Sequence, residues 1–227
     1  MCGRIAQYRD AHDYVSAMEL ASPVFMFDPA DRRPGFNLAP GAHPLVVFPD
    51  QTIRTIRWGY RPLWATQQHL PQAINARSDS APSSGYFRQM WRNGRVVVPA
   101  DGWYEWRTES SVAQPYYIYR RSREPVLLAA LSSVNDALEH QPGEGCVIVT
   151  AARSGGLVDA HAHRPLLLKP SAALRWLDPT ARDAELTELT MHGAIPEDEL
   201  SFHRVSQEVN RAVHDDAALI ETIDSAH

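Results

Sequence analysis

Residues 103–121 read WYEWRTESSVAQPYYIYRR, and this stretch decides the fold class. Its two ends are rich in aromatic residues, which favour the pleated surface of a strand. The polar residues between them are typical of a turn. The stretch therefore predicts two strands, at 103–107 and 115–121, joined as an antiparallel hairpin.

Six further segments have the same character as the two ends of that hairpin. Each is short, aromatic or β-branched, and bounded by Pro, Gly or Asp, as strands are. These segments are residues 2–8, 44–49, 52–59, 95–99, 126–133 and 145–151. Many short strands with few helices predict an α+β protein, a single domain with a curved, mostly antiparallel sheet or barrel-like core and peripheral helices.

Helical patterns are fewer than strand patterns. They cover residues 10–20, 171–177 and 181–190. Ser171 follows Pro170 and is the predicted N-cap of the second helix. The turn-rich spans 28–43 and 61–85 are long for simple connections, and we expect them to be functional loops.

Length and composition define the class of protein. A chain of 227 residues that is 44% hydrophobic and 22% charged can bury a sizeable core. It has no apolar run near the roughly 20 residues that cross a bilayer, and its first residues lack the apolar stretch of a signal peptide. Its two cysteines do not make a disulfide scaffold. A cytoplasmic monomer with no membrane association is therefore expected.

The net charge of −5 hides an uneven distribution. Residues 1–125 carry 15 arginines and 11 acidic residues, net +4, whereas residues 126–227 carry 7 basic and 16 acidic residues, net −9. A basic half can hold a polyanion although the whole chain is acidic. Chance unevenness explains the same numbers equally well. Lys169 is the one lysine, so few side-chain amines are available for imine chemistry.

Cys2 stands directly behind the initiator methionine. Removal of Met1 would leave an exposed residue with an α-amine of pKa near 8 and a thiol of pKa near 8.5. An amine and a thiol on adjacent carbons react with an aldehyde to give an imine and then a five-membered thiazolidine. An incidental second residue is an equal alternative. The second cysteine, Cys146, lies in an apolar run and is predicted to be a core residue.

Two further strings offer polar groups for catalysis. Glu105 stands among aromatic residues in PADGWYEWR (99–107), where desolvation would raise its pKa and suit it to acid–base work. Asn75 and Arg77 share strand parity in QAINARSDS (72–80) and suit a carbonyl and a phosphate. Polar residues that face solvent from a strand or a loop would produce the same two patterns. Each pattern taken alone favours this non-catalytic interpretation.

The remaining strings are weaker. His161 and His163 have the spacing of two ligands on one strand face, but no third ligand with zinc spacing accompanies them, so no metal and no cofactor is predicted. In IRWGYRPLW (56–64), arginines alternate with aromatic residues, including Trp64, as in single-strand binding surfaces. A strand with aromatic residues on its core face and arginines on its solvent-exposed face produces the same alternating pattern.

The strings together carry more information than each alone. In order, the chain contains MCGR at 1–4, FNLAPG at 36–41, RWGYRPLW at 57–64, INAR at 74–77, ADGWYEW at 100–106, HAHRP at 161–165 and VSQEVN at 205–210. This set closely resembles the SRAP family, the SOS-response-associated peptidases that are viewed as abasic-site processing proteins. The resemblance extends from Cys2 to about Asn210. It implies an SRAP domain at 2–215 and a C-terminal tail at 216–227.

The resemblance implies a function. Family members bind single-stranded DNA with an abasic site, and their N-terminal cysteine condenses with the sugar aldehyde into a thiazolidine crosslink that shields the site. It implies that Cys2 is the nucleophile, that Asn75 holds the sugar or the cysteine backbone, that Glu105 shuttles protons and that His161 assists sugar opening. It also implies self-removal of Met1, weak lyase activity and action at the nucleoid.

The same resemblance implies a DNA surface. Arg4 and Arg77 would grip phosphates, and Pro40 and Trp64 would line the DNA path. The family pattern H-x-R-M-P departs here, since His163 takes the arginine position and Arg164 the methionine position; which of them contacts DNA stays open. Asp79 stands where the family has glutamate.

Two other classes of protein share some of these features. Class II glutamine amidotransferases also open with MCG, and their terminal cysteine attacks a glutamine side chain. The further Asn-Gly and Gly-Asp strings of those enzymes are missing from this sequence. A non-covalent single-strand binding module needs only the arginine and aromatic surface, with Cys2 incidental.

Overall fold

The structure, a computed structural model, describes residues 2–19, 25–27, 32–134, 141–152 and 163–223. Within them the strands, numbered in chain order, are β1 Ile5–Gln7, β2 Phe25–Phe27, β3 Gly35–Leu38, β4 Leu45–Val47, β5 Thr52–Thr55, β6 Asn75–Arg77, β7 Arg95–Ala100, β8 Gly102–Glu109, β9 Val112–Arg120, β10 Val126–Ser132, β11 Cys146–Ala152, β12 His163–Pro165, β13 Leu167–Leu168 and β14 Leu200–Arg204.

Helices are shorter and lie between the strands. The α-helices are α1 Ala11–Ala17, α2 Leu63–Gln67, α3 Arg88–Asn93, α4 Pro170–Leu177 and α5 Asp183–His192. Three single turns of 3-10 helix follow, at Glu197–Glu199, Gln207–Asn210 and Ala217–Ile220.

The strands form two sheets. The smaller sheet has the order β14-β9-β8-β1-β3, and the larger has β12-β11-β10-β7-β4-β5-β2 with β13 beside β10 and β6 beside β11. Most pairs are antiparallel; β2 with β5 and β6 with β11 are parallel. The predicted α+β class is therefore confirmed. Over the described residues neither sheet closes on itself, so the barrel-like core is in fact two stacked open sheets.

The predicted hairpin is the centre of the smaller sheet. Strands β8 and β9 pair from Trp103 opposite Ile118 to Glu109 opposite Val112, and Glu105 lies opposite Tyr116. The connection is tighter than predicted because Ser110 and Ser111 adopt positive φ and reverse the chain in two residues.

Side-chain alternation divides the protein into layers. In β7, Val96 and Val98 face the smaller sheet, whereas Val97 faces the helices. Neighbouring strand β10 alternates in the same way, with Leu128 on the first face and Leu127 on the second. The larger sheet is thus buried on both faces, by helices on one and by the smaller sheet on the other. The apolar layer between the sheets is called the inter-sheet core below.

The outer face of the smaller sheet is covered by the C-terminal part of the chain. Tyr104 and Tyr117 pack there with Val205, Val209 and Leu219. The proposed boundary at 215 therefore falls inside a packed region, because Leu219 in the last 3-10 turn is only 3% exposed.

The structure corrects three local predictions. The helix predicted at 171–177 begins at Pro170, with Lys169 rather than Ser171 as N-cap, because the fixed φ of proline suits the first helical position. Span 28–43 contains β3, and span 61–85 contains α2 and β6, so neither is a simple loop. Both short strands find their partners far along the chain, which local patterns do not reveal.

No helix among the described residues is long and apolar enough to cross a membrane.

Candidate active site

Cys2 lies in the inter-sheet core. It is fully buried and packs in the same cluster as Ile5, Trp103 and Ile148, because β1 is a central strand of the smaller sheet and carries the N-terminus inward. Burial raises the pKa of its thiol far above the usual range, and the negative charge of Glu105 raises it further. In the chain that still carries Met1, the cysteine is therefore a protonated, enclosed thiol rather than the exposed group that the sequence predicts.

Glu105 is the buried carboxyl beside that thiol. It stands on β8, two residues after Trp103, and is 3% exposed. Its Oε1 atom is buried without a hydrogen-bond partner. Burial raises the pKa of Glu105 to about 7, and the positive charges of the N-terminal amine and, to a smaller extent, of Arg164 oppose that rise. A carboxyl with this pKa can donate or accept a proton near neutral pH.

Asn75 faces the same layer from the larger sheet. It lies on β6 in register with Ile148 of β11, which belongs to the inter-sheet core. Both its Nδ2 and its Oδ1 are buried without a hydrogen-bond partner. A buried amide that neither donates nor accepts is rare and costly in a native structure, so it marks a place for a ligand.

Arg4 brings a positive charge to this region from the N-terminal segment. Its Nε and Nη1 are buried without partners, and only Nη2 reaches an acceptor, the backbone oxygen of Asn210 at 3.5 Å. Burial lowers the pKa of the Arg4 guanidinium. Asn210 also accepts a hydrogen bond from Nε1 of Trp106 at 2.6 Å, so the VSQEVN segment fixes this corner of the site.

A second basic group lies at the end of β6. Arg77 is exposed and forms a bidentate pair with Asp79, with Nε–Oδ1 at 3.1 Å and Nη2–Oδ2 at 2.5 Å. His163 approaches the same carboxylate, with Nε2 at 3.9 Å from Oδ2 of Asp79. Asp79 thus holds Arg77 in a bidentate pair, with His163 nearby, whose Nε2 is buried and makes no hydrogen bond.

Arg164 differs from its neighbour His163. Its side chain is 6% exposed, against 22% for His163, and its Nη1 donates to Oε1 of Glu197 at 2.8 Å. Arg164 therefore lies inside the protein near Glu105, and His163 is the more accessible of the two for a strand of DNA.

The remaining predicted residues lie further out. His161 falls outside the described residues. Pro40 is exposed in the turn after β3, where Gly41 adopts a φ of 99°, which favours glycine, and donates to the oxygen of Trp58 at 2.7 Å. Trp64 on α2 is 40% exposed and contacts Tyr86 edge-on.

Sequence reasoning missed two residues that organise the site. Glu197 holds Arg164, and nothing in the acidic string EDE at 197–199 distinguishes it from solvated surface. Asn210 lies in the VSQEVN segment, but its contacts are with residues far away in the sequence. Arg4 is 206 residues away and Trp106 is 104 residues away. Among the described residues, which leave out His161, no three His, Cys, Asp or Glu side chains converge as metal ligands would.

The arrangement defines a class of protein. It is an α+β protein with a cysteine at position 2, and a buried carboxyl and an unpartnered amide lie between its two sheets. A sequence profile of the family described as SOS response associated peptidase (SRAP) matches residues 1–212. The chain belongs to the SRAP family, and the resemblance seen in the motifs is confirmed.

Individual relatives agree with this membership. The abasic site processing protein YedK of Escherichia coli (strain K12) is 36% identical over 228 residues, covering 98% of this chain and 100% of YedK. The abasic site processing protein HMCES of Rattus norvegicus is 27% identical and covers 82% of this chain and 64% of its own. A crystal structure of a phage-related protein from Bordetella bronchiseptica superposes with a TM-score of 0.76 at 34% identity, over 91% of this chain and 95% of that one.

Proposed function

We propose that this chain processes abasic sites in single-stranded DNA by covalent capture through Cys2. The observation that carries the proposal is the position of Cys2, directly after Met1 and against a buried carboxyl whose pKa is raised to about 7. The names of the relatives support the substrate class, since YedK and HMCES are both called abasic site processing proteins.

Capture requires the α-amine of Cys2, so hydrolysis of the Met1–Cys2 peptide bond comes first. The family description as a peptidase leads us to assign this hydrolysis to the chain itself. Production in a reconstituted translation mixture without an aminopeptidase tests the assignment. The mass of the product should lack Met1, and retention of Met1 in that mixture would transfer the step to a host enzyme.

The buried thiol sets the order of bond formation. A thiol with a strongly raised pKa is a poor nucleophile on its own. The amine of Cys2 therefore attacks the ring-opened sugar aldehyde first, and loss of water gives the imine. The sulfur, held on the adjacent carbon, then adds to the imine carbon, and the nitrogen gains the proton that the thiol loses. Proximity makes the second step effectively unimolecular.

Glu105 is placed to carry the protons of these steps. Its carboxylate accepts the thiol proton, and its acid form protonates the departing hydroxyl during imine formation. The unpartnered amide of Asn75 supplies a donor and an acceptor for the sugar hydroxyls or the Cys2 backbone. His161, by its place in the motif, would assist ring opening and reversal. Closure to the thiazolidine consumes the imine from which β-elimination would cut the strand, so lyase activity is a minor path.

The DNA strand is held by charge and stacking. Arg4 and Arg77 would bind phosphates, with His163 beside Arg77, and exposed Trp64 offers a face for a base. Arg164 was a further candidate for this surface, but its burial against Glu197 assigns it to the interior in our proposal.

Denaturing electrophoresis tests the function. The protein is mixed with a labelled oligonucleotide that carries one abasic site, and a band that survives denaturation is expected. Cys2→Ala keeps an amine but lacks sulfur, so it should give no stable adduct and only an imine that borohydride traps. Lys169→Arg should crosslink normally. A tetrahydrofuran site, which has no aldehyde, should give no adduct with any variant.

Other outcomes would overturn the proposal. A stable adduct with Cys2→Ala would remove the sulfur from the mechanism, and a dead Lys169→Arg would move the amine to Lys169. A complex seen only on native gels would favour the non-covalent binding module. Glutaminase activity that depends on Cys2 would favour the amidotransferase class.

A further inference from the structure

Arg164, which is buried, and Glu197, which is partly exposed, form an ion pair beside the inter-sheet core. Arg164 lies on β12 at the edge of the larger sheet, and Glu197 opens the 3-10 turn that leads into β14 of the smaller sheet. Their contact, at 2.8 Å between Nη1 and Oε1, therefore ties the two sheets together. The two residues line a small cleft with Trp103 and Leu200.

The pair lies near the Glu105 carboxyl. Trp103, which lines the cleft, is two residues before Glu105 on β8 and projects from the same face. The positive charge of Arg164 lowers the pKa of Glu105 against the larger effect of burial. The titratable and charged groups near Glu105 are the N-terminal amine, Cys2, Arg107, Tyr116, Arg164 and Glu197. The positive charge of the amine lowers the pKa of Glu105 more than that of Arg164 does, and Arg164 adds to it from a side chain that the chemistry does not consume.

The effects of these neighbours differ in sign. The Cys2 thiol is neutral at neutral pH because burial raises its pKa. Arg107 is exposed, and the hydroxyl of Tyr116 donates to Glu109 rather than to Glu105. Arg164 is the enclosed cation among these side chains, and Glu197 is 46% exposed, so water screens its charge more than that of Arg164.

We infer that Arg164, held in place by Glu197, is a positioning residue that keeps Glu105 available as a carboxylate base while the sulfur of Cys2 closes the ring. This inference rests on the proposed function, because the role of Glu105 belongs to it.

The chemistry gives two opposite expectations. Arg164→Met removes the cation, so the carboxylate form of Glu105 becomes harder to reach and the titration midpoint of Glu105 rises. Glu197→Gln leaves the cation uncompensated, so the midpoint falls. If the midpoint moves from about 7 to about 8, the carboxylate fraction at pH 7 falls about fivefold, and the rate of ring closure falls with it.

The direct test is a carbon-13 NMR titration of the Glu105 side chain in the protein without DNA. Arg164→Met should move the midpoint upward, and Glu197→Gln should move it downward. Arg120→Met and Glu199→Gln are matched controls, since that pair joins β9 to the same 3-10 turn at 3.1 Å. These controls should leave the midpoint in place.

Crosslinking rates across pH complete the test. The rate profile of Arg164→Met should shift to higher pH and that of Glu197→Gln to lower pH, with equal rates at the plateau. Titration curves and rate profiles that coincide with those of the wild type would overturn the inference. If the wild type forms no crosslink, the proposed function fails, while the NMR titration still decides the role of Arg164. Should Arg164→Met not fold, Glu197→Gln alone still carries the test.

Discussion

Two buried carboxylates stand four residues apart, and the structure treats them in opposite ways. Asp101, just before β8, accepts hydrogen bonds from the backbone of Tyr8 at 2.8 Å, from Nε of Arg9 at 2.6 Å and from the hydroxyl of Tyr14 at 2.5 Å. Glu105, within β8, is equally enclosed but has an oxygen with no partner. Asp101 therefore stabilises the fold, whereas Glu105 keeps an oxygen in the site that is free to accept a hydrogen bond.

The same contrast separates two buried amides. Gln7 donates to the oxygens of Leu45 and Pro99 and accepts from the backbone of Leu45, all within 3.0 Å. Asn75 uses neither its donor nor its acceptor. Because an unpaired buried polar group costs about 1–3 kcal/mol, such groups persist where a ligand completes them. In these two pairs the satisfied group, Asp101 or Gln7, belongs to the scaffold, and the unsatisfied one, Glu105 or Asn75, belongs to the site.

The largest expected effect is that of Asp101→Ala. The change removes the two oxygens that accept three hydrogen bonds and leaves buried donors without partners. We expect a loss of roughly 2–4 kcal/mol in the free energy of unfolding, below the full cost of breaking a buried pair because Arg9 is 32% exposed. Urea denaturation measures it. Glu124→Ala, whose side chain is 60% exposed, is the control and should change little. If Asp101→Ala were as stable as the wild type, Asp101 would not be a carboxylate that stabilises the fold.

Glu105→Gln should act in the opposite direction on stability. A Glu with a folded pKa of about 7 and an unfolded pKa near 4.3 holds its proton more tightly when folded, so the wild type loses stability as pH rises from about 4.5 to 7. Glutamine has no such loss. The variant should match the wild type at pH 4 and exceed it by up to about 3 kcal/mol at pH 8. Urea denaturation at several pH values measures the difference.

The same variant should lose function while it gains stability. Without a group to move protons, capture of the abasic aldehyde should slow by roughly a hundredfold. Single-turnover gels give the rate. A variant that captures at the wild-type rate would remove Glu105 from the mechanism, whatever its stability.

Arg4→Gln tests whether the guanidinium of Arg4, which has two nitrogens without partners, binds DNA. Loss of one phosphate contact should weaken binding to single strands of any sequence several-fold and reduce the slope of log affinity against log salt by about 1. Fluorescence anisotropy over a salt series measures both. Arg182→Gln, far out on the surface at 82% exposure, should leave the slope unchanged.

The smallest effect is expected for Asp79→Ala. The pair with Arg77 is exposed on both sides, and such pairs contribute little to stability. The urea midpoint should stay in place, whereas release of Arg77 should strengthen binding to single strands. A large fall in stability would show that Asp79 belongs with Asp101 as part of the scaffold.

Local patterns predicted the longer elements well. The hairpin of β8 and β9, the paired strands β7 and β10, and helix α4 all lie where the sequence places them, within a few residues. Short elements were missed for a physical reason. Strand β3 pairs with β1, and β6 pairs with β11 some 70 residues away, so their hydrogen bonds come from distant segments.

The sequence by itself determined the α+β class, the hairpin and the candidates Cys2, Asn75 and Glu105, because periodicity, composition and motif order are local properties. Only the tertiary structure decided that Cys2 is enclosed between two open sheets, that Asn75 and Glu105 lack partners there, and that Arg164 turns inward to Glu197. Burial, orphaned hydrogen-bonding groups and shifted pKa values arise from what distant segments bring together, which the order of residues does not state.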